Sequence, residues 1–213
     1  MKEYKHLPRS IPEVEGISSY QIIELLNGME LCGIELHNMM IAVDGKIIYE
    51  VCNHPYREDI PHMIHSMTKA FTNTAVGKAY SEGLLKLSDK VVSFFEDEAD
   101  KYLPENPSQN LLDMTVENLI TMRCGHDREI SGSEWRPLKT SWIKAFFEEP
   151  VIHKPGDYYC YSSACSYMLS AIVQKVTGKT AHDYLREGCL DKLGIREFTW
   201  DVSPEGICSG GNG

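Results

Sequence analysis

A chain of 213 residues with 42% hydrophobic content is long enough for one large domain or two small ones around a sizeable core. Its formal net charge of −10 repels nucleic acid and anionic membrane surfaces, so neither is an expected partner. No apolar run is long enough to cross a bilayer, and Met1 to Pro8 lacks the apolar region of a signal peptide. Seven cysteines without a Cys-x-x-Cys read as reduced, partly buried thiols of a cytoplasmic protein. The chief alternative is a disulfide between Cys160 and Cys165.

In chain order, the first sixteen residues are polar and proline-marked and predict an irregular lead-in. Ser18 or Ser19 then caps an amphipathic helix to about Asn27, with Ile22, Ile23, Leu25 and Leu26 on its apolar side. Leu36 to Val43 and Lys46 to Val51 are two β-rich runs joined by Asp44-Gly45. Glycine accepts positive φ, so that dipeptide predicts a type I′ hairpin. A loop holding Pro55 and Pro61 leads to Ser66, and apolar residues from Met67 to Tyr80 recur at helical steps until Gly83. A short helix is expected over Val91 to Phe95, then a loop around Pro104 and Pro107. Thr115 caps a helix to Arg123 that Gly125 closes, and Thr140 or Ser141 starts another ending near Glu149-Pro150. Pro155-Gly156 marks a turn before Tyr161. Ser166 to Thr177 is a periodic helix stopped by Gly178, with Met168, Leu169, Ile172, Val173 and Val176 on one side. A last helix spans about Ala181 to Cys189. The division read from this pattern is 1–65, a helix and hairpin, and 66–213, mostly helical. A lone hairpin needs further strands or a covering helix, so the sheet reads as unfinished. Its free edge would allow self-association.

Ser66-Met67-Thr68-Lys69 places a hydroxyl and an amine three residues apart, on one helix face. At a helix start the unpaired N–H groups and the positive dipole end stabilise a developing alkoxide. A chain of this length holds roughly one Ser-x-x-Lys by chance, and Ser141-Trp142-Ile143-Lys144 is a second. There Ser141 reads as a helix cap and Lys144 as solvated. Context separates the two tetrads, because Ser66 follows a hairpin and opens a long amphipathic helix. Tyr161-Ser162-Ser163 adds a phenol that can take or give a proton. His62, His65 and His126-Asp127 raise a zinc reading, but no zinc-hydrolase motif accompanies them, so no metal or other cofactor is expected.

From about Ile41 onward the chain resembles the serine β-lactamase-related proteins, which include class C β-lactamases, DD-peptidases, family VIII-type esterases and amide hydrolases. Met67-Thr68-Lys69-Ala70-Phe71 resembles their nucleophile helix. The segments Gly83-Leu84-Leu85-Lys86-Leu87-Ser88-Asp89-Lys90-Val91 and Thr115 to Gly125 are similar to two further family motifs. Within the second, Met122-Arg123-Cys124 replaces the frequent His-Thr-Ser. Pro155-Gly156 with Tyr161-Ser162-Ser163, then Val176-Thr177-Gly178 and Leu193-Gly194-Ile195, complete the ordered match.

The resemblance implies an α+β fold, with a helical region beside an antiparallel sheet flanked by helices. It implies a serine hydrolase acting on an ester, amide or β-lactam carbonyl, the small-molecule partner. Ser66 is the implied nucleophile and Lys69 its partner, Tyr161 is the general base, and Ser163 contacts substrate where the family often has asparagine. It also implies a late strand with Lys-Thr-Gly or His-x-Gly supplying the second oxyanion-hole donor. No such motif follows Tyr161, since Gly178-Lys179-Thr180 has the wrong order, so the chain reads as C-terminally truncated and impaired. The alternative is an inactive remnant that serves as a binding fragment.

Overall fold

A computed structural model describes residues 7–130, 132–196 and 198–212. The chain forms two compact units, one ending at His62 and the other beginning at Met63. Gly213, at the end of the glycine-rich run, lies outside the described residues.

In the first unit, Pro12–Glu15 form a 3-10 turn where the sequence predicted irregular chain. Ser18 caps helix α1 (Ser19–Leu31), accepting from Tyr20 N at 3.3 Å while Gln21 Oε1 accepts from Ser18 N at 3.2 Å. The helix runs past Asn27 because its stop is Gly33, at φ 67, and not the Asn27-Gly28 pair. Of the expected apolar side, only Ile22 is buried, while Ile23 and Leu25 are 52% and 44% exposed. Strands β1 (Asn38–Val43) and β2 (Lys46–Cys52) form the antiparallel hairpin, with a bulge between Ile41 and Ala42. Asp44 at φ 47 and Gly45 at φ 77 give the expected type I′ turn. The lead-in covers part of the outer β2 edge, with Ile47 N donating to Pro8 O at 2.8 Å and Ser10 N to Ile47 O at 3.0 Å.

The second unit is helical. A 3-10 turn over His65–Met67 runs into α2 (Thr68–Ser81), which Gly83 closes at φ 73. The expected short helix after it is a longer 3-10 segment, Val91–Glu98, continued by α3 (Ala99–Tyr102). Ser108 caps α4 (Gln109–Asp113), which the proline-marked loop concealed. Thr115 and Asn118 form a reciprocal cap on α5 (Val116–Ile120). That helix ends before Arg123, because Met122 turns left-handed at φ 53. After α6 (Gly132–Trp135), Ser141 caps α7 (Trp142–Glu148). Helix α8 (Ser163–Thr177) is buried without a break from Ser163 to Val173. The sequence predicted one apolar stripe. Helices α2, α5, α7 and α9 (Ala181–Leu185) surround α8, so its small polar residues are buried too. A π-helical turn, Arg186–Leu190, leads into α10 (Asp191–Leu193). No helix among the described residues is long and apolar enough to cross a membrane. All seven cysteines are free thiols, and the sulfur beside Cys165 is that of Cys124, not Cys160.

Candidate active site

The site lies wholly in the second unit, at the starts of α2 and α8. His65 holds φ 45, a left-handed conformation for a residue with a side chain, and turns the chain so that Ser66 opens the 3-10 turn feeding α2. Ser66 is exposed, whereas Lys69, one turn further on, is only 9% exposed. Lys69 Nζ donates to Ser66 Oγ at 3.1 Å, to Ser163 Oγ at 3.3 Å and to the Gly211 carbonyl at 3.1 Å. An ammonium has three N–H donors, and these three oxygens match them.

Tyr161 arrives from the opposite direction. The turn after α5 holds its segment, with Cys160 N donating to Met122 O at 3.0 Å. Its hydroxyl lies 2.9 Å from Ser66 Oγ, and Lys69 Nζ stands 4.9 Å from its ring centroid. Burial raises the pKa of this phenol. The hydrogen bonds with Lys69 and Ser66 and the lysine's charge pull it down by more, so it titrates below the ordinary phenol value. Ser163, the expected substrate contact, is buried, and its hydroxyl faces Lys69.

The late segment Ser209-Gly210-Gly211 also joins the site, a part that no sequence expectation gave it. Thr72 Oγ1 donates to Gly210 O at 2.6 Å, which seats the segment on α2. Gly210 has φ 71, and a Cβ there would stand 2.2 Å from Ser166 O. A Cβ on Gly211 would stand 3.1 Å from Ser163 Cβ and 3.2 Å from Lys69 Nζ. Tandem glycines in a chain otherwise rich in side chains are the available signal, since they allow a backbone to approach this closely.

The other candidates separate from this group. Ser141 Oγ accepts from Lys144 N at 3.1 Å as a helix cap, and Lys144 pairs with Glu148 at 3.3 Å. Tyr167 is core, its hydroxyl 3.1 Å from Ser203 Oγ, and Tyr158 and Tyr159 are exposed. In the first unit His62 Nε2 meets His37 Nδ1 at 2.8 Å, and in the second His126 is fully buried with its ring edge on Phe146. Two grooves of about 430 and 420 Å³ lie elsewhere, one lined by Lys78, Glu82 and Tyr184, the other by Phe95, Gln174 and Glu205. Neither includes Ser66.

The Beta-lactamase family model matches residues 33–207. A putative D-alanyl-D-alanine carboxypeptidase of Escherichia coli (strain K12) is 23% identical over 235 aligned positions, covering 96% of this chain and 53% of that protein. Among solved structures, a putative 6-aminohexanoate-dimer hydrolase from Bacillus anthracis superposes with a TM-score of 0.73 at 14% identity, over 99% of this chain and 58% of that one. A class C β-lactamase mutant gives 0.65 at 16% identity, over 91% of this chain and 58% of that one. These structures share the β-lactamase/DD-peptidase-like fold, here helix-rich with a two-stranded sheet among the described residues. The chain spans 26% to 53% of the length of the curated relatives it matches.

Proposed function

The chain belongs to the Beta-lactamase family, and on that premise we propose that it is a serine hydrolase forming an acyl-enzyme on Ser66. One observation carries this reading: Ser66 Oγ has the Tyr161 hydroxyl at 2.9 Å and Lys69 Nζ at 3.1 Å. Both are within the reach that proton transfer needs.

Ionised Tyr161, stabilised by the Lys69 cation, takes the Ser66 proton as Oγ attacks an ester, amide or β-lactam carbonyl. The same phenol returns that proton to the leaving oxygen or nitrogen. A water, deprotonated in the same way, then attacks the acyl group and frees Ser66. Ser163 and the Gly211 carbonyl hold Lys69 in place, which gives Ser163 a positioning role in this scheme beside the substrate contact that the resemblance implies.

The resemblance assigns the first oxyanion-hole donor to Ser66 N–H and the second to a late strand with Lys-Thr-Gly or His-x-Gly. That motif does not follow Tyr161 in these 213 residues. Removing one such donor costs about 10²–10³ in rate, so these residues by themselves are expected to react slowly.

A fluorophosphonate probe tests the reading. Wild type should label on Ser66, Ser66→Ala should not label, and Tyr161→Phe should label about 10²–10⁴ more slowly. Absence of labelling in wild type would favour the inactive binding fragment.

A further inference from the structure

Beneath the Tyr161 segment lies a group that the proposed reaction does not use. Cys124 and Cys165 are both fully buried, and their sulfurs stand 3.4 Å apart. His126 is fully buried beside them, with neither ring nitrogen hydrogen-bonded among the described residues. The thiol donated by Cys165 pulls the Cys124 pKa well down against the effect of burial, and His126 adds to the pull. Cys165 is pushed up, first by sharing that bond and then by burial. Cys124 is therefore the sulfur that gives up its proton more readily and Cys165 the one that keeps it, 3.4 Å away.

Cys165 sits on α8, which carries Ser163, and Cys124 in the turn after α5 that braces the segment leading to Tyr161. Cys124 is in the turn whose Met122 carbonyl accepts from Cys160 N at 3.0 Å, one residue before Tyr161. Gly156 N donates to Arg123 O at 2.8 Å and His153 N to Gly125 O at 2.9 Å, so the whole turn is stitched to the segment leading to Tyr161. Cys165 is in the first turn of α8, two residues beyond Ser163.

We propose that Cys124 and Cys165 are a redox modification site, forming a reversible disulfide that ties the Tyr161 segment to α8 and slows reaction at Ser66. The oxidant class is a peroxide. Cys124 sulfur attacks one peroxide oxygen, the O–O bond breaks, and the other oxygen leaves as water with the proton first held by the Cys124 thiol. The product is a sulfenic acid. Cys165 sulfur then displaces the sulfenic oxygen, forming the S–S bond, and that oxygen leaves as a second water with the Cys165 proton. Two thiols lose two electrons, and one peroxide gains them. Hydrogen peroxide is small enough to reach the pair through local opening.

Closing the pair from 3.4 Å to about 2.05 Å brings the two sulfurs closer by about 1.3 Å, a movement that the side chains and the two segments must share. Catalytic groups tolerate displacements of about 0.5 Å, and a 1 Å error can cost about 10²-fold. The coupling to Ser66 rests on the acylation reading, whereas the disulfide does not.

The test treats the intact chain with hydrogen peroxide, blocks remaining thiols, and maps cysteines by mass spectrometry alongside fluorophosphonate labelling. The expected result is a Cys124–Cys165 cross-linked peptide reversed by dithiothreitol, with Ser66 labelling slowed about tenfold or more. Cys124→Ala and Cys165→Ala should each label after peroxide at their untreated rate. Recovery of both residues as blocked thiols while exposed Cys32 and Cys52 oxidise would overturn the proposal. A cross-link that leaves labelling unchanged would overturn its coupling to the site. If untreated protein never labels, the acylation reading fails, and the cross-link is still decided by mass.

Discussion

Gly210 and Lys69 show how strongly single positions fix this site. Gly210 combines φ 71 with a hypothetical Cβ only 2.2 Å from Ser166 O, a backbone atom of the buried central helix that cannot swing aside. Gly206 has a similar φ of 75 but nothing within 4 Å of its Cβ position. Gly206→Ala should therefore cost only the left-handed backbone penalty, about 1–2 kcal/mol. Gly210→Ala adds overpacking and should cost about 3 kcal/mol or more, with loss of Ser66 labelling, read by chemical denaturation and the probe. Equal costs would show that the seat of Gly210 on α8 is not tight. For Lys69 the readout is pH. Burial raises the Tyr161 pKa, but Lys69 and Ser66 bring it below the ordinary value of about 10. The phenolate is the reactive form, so labelling should rise with pH through a midpoint below about 10 and then level off. The same shift has a stability consequence. Between the folded and unfolded midpoints the unfolded chain holds more protons, so this group adds stability as pH rises toward about 10 and loses it as pH falls through the folded midpoint. Lys69→Met removes the cation, and the labelling midpoint should move upward. A midpoint that stays put would remove Lys69 from the proton-transfer step.

Among the elements, the hairpin makes the clearest claim of its own. Residues 8–10 cover part of the β2 edge, while β1 has no second ladder partner among the described residues, and Met40 on it is 54% exposed. An uncovered edge is a template for another strand, and a lysine on it opposes such pairing. We expect concentration-dependent association by sedimentation equilibrium, weakened in Met40→Lys; equal association of both proteins would place the contact elsewhere. The hairpin was legible in the sequence because Asp44-Gly45 encodes its own turn, and so were the Ser141, Thr115 and Gly83 helix ends, since capping is local chemistry. The likeness of Ser66-Met67-Thr68-Lys69 to a nucleophile helix was equally local. What was not legible depended on distant partners. Periodicity could not show that α8 is enclosed on every side, because that is a property of α2, α5, α7 and α9. Nor could it distinguish the 3-10 form of Val91–Glu98 from an α-helix. The sequence could not place Gly211 beside Lys69 and Ser163. The Lys69 to Gly211 bond spans 142 positions.

At the scale of the molecule, the residues that meet at Ser66 all come from one of the two units. Ser66, Lys69, Thr72, Tyr161, Ser163, Gly210 and Gly211 lie beyond Met63, where the buried core of α2, α5, α7 and α8 holds them. Rigid helix starts suit a reaction that tolerates little displacement. The segment before Met63 is exposed from Arg57 to His62 apart from its ring contacts, and among the described residues Arg57 pairs only with Asp59 two residues away, both side chains being at least 60% exposed. An exposed ion pair of that kind contributes little and gives the backbone slight protection. Trypsin should therefore cut first after Arg57, which severs no bond of the second unit. Since every contact that defines the site is made within the uncut piece, the nicked protein should label at Ser66 within about threefold of the intact rate, a change worth less than about 1 kcal/mol. Labelling that falls in step with cleavage at Arg57 would mean that the helix and hairpin of the first unit hold the reactive geometry, and that the contacts around Lys69 are not sufficient to maintain it.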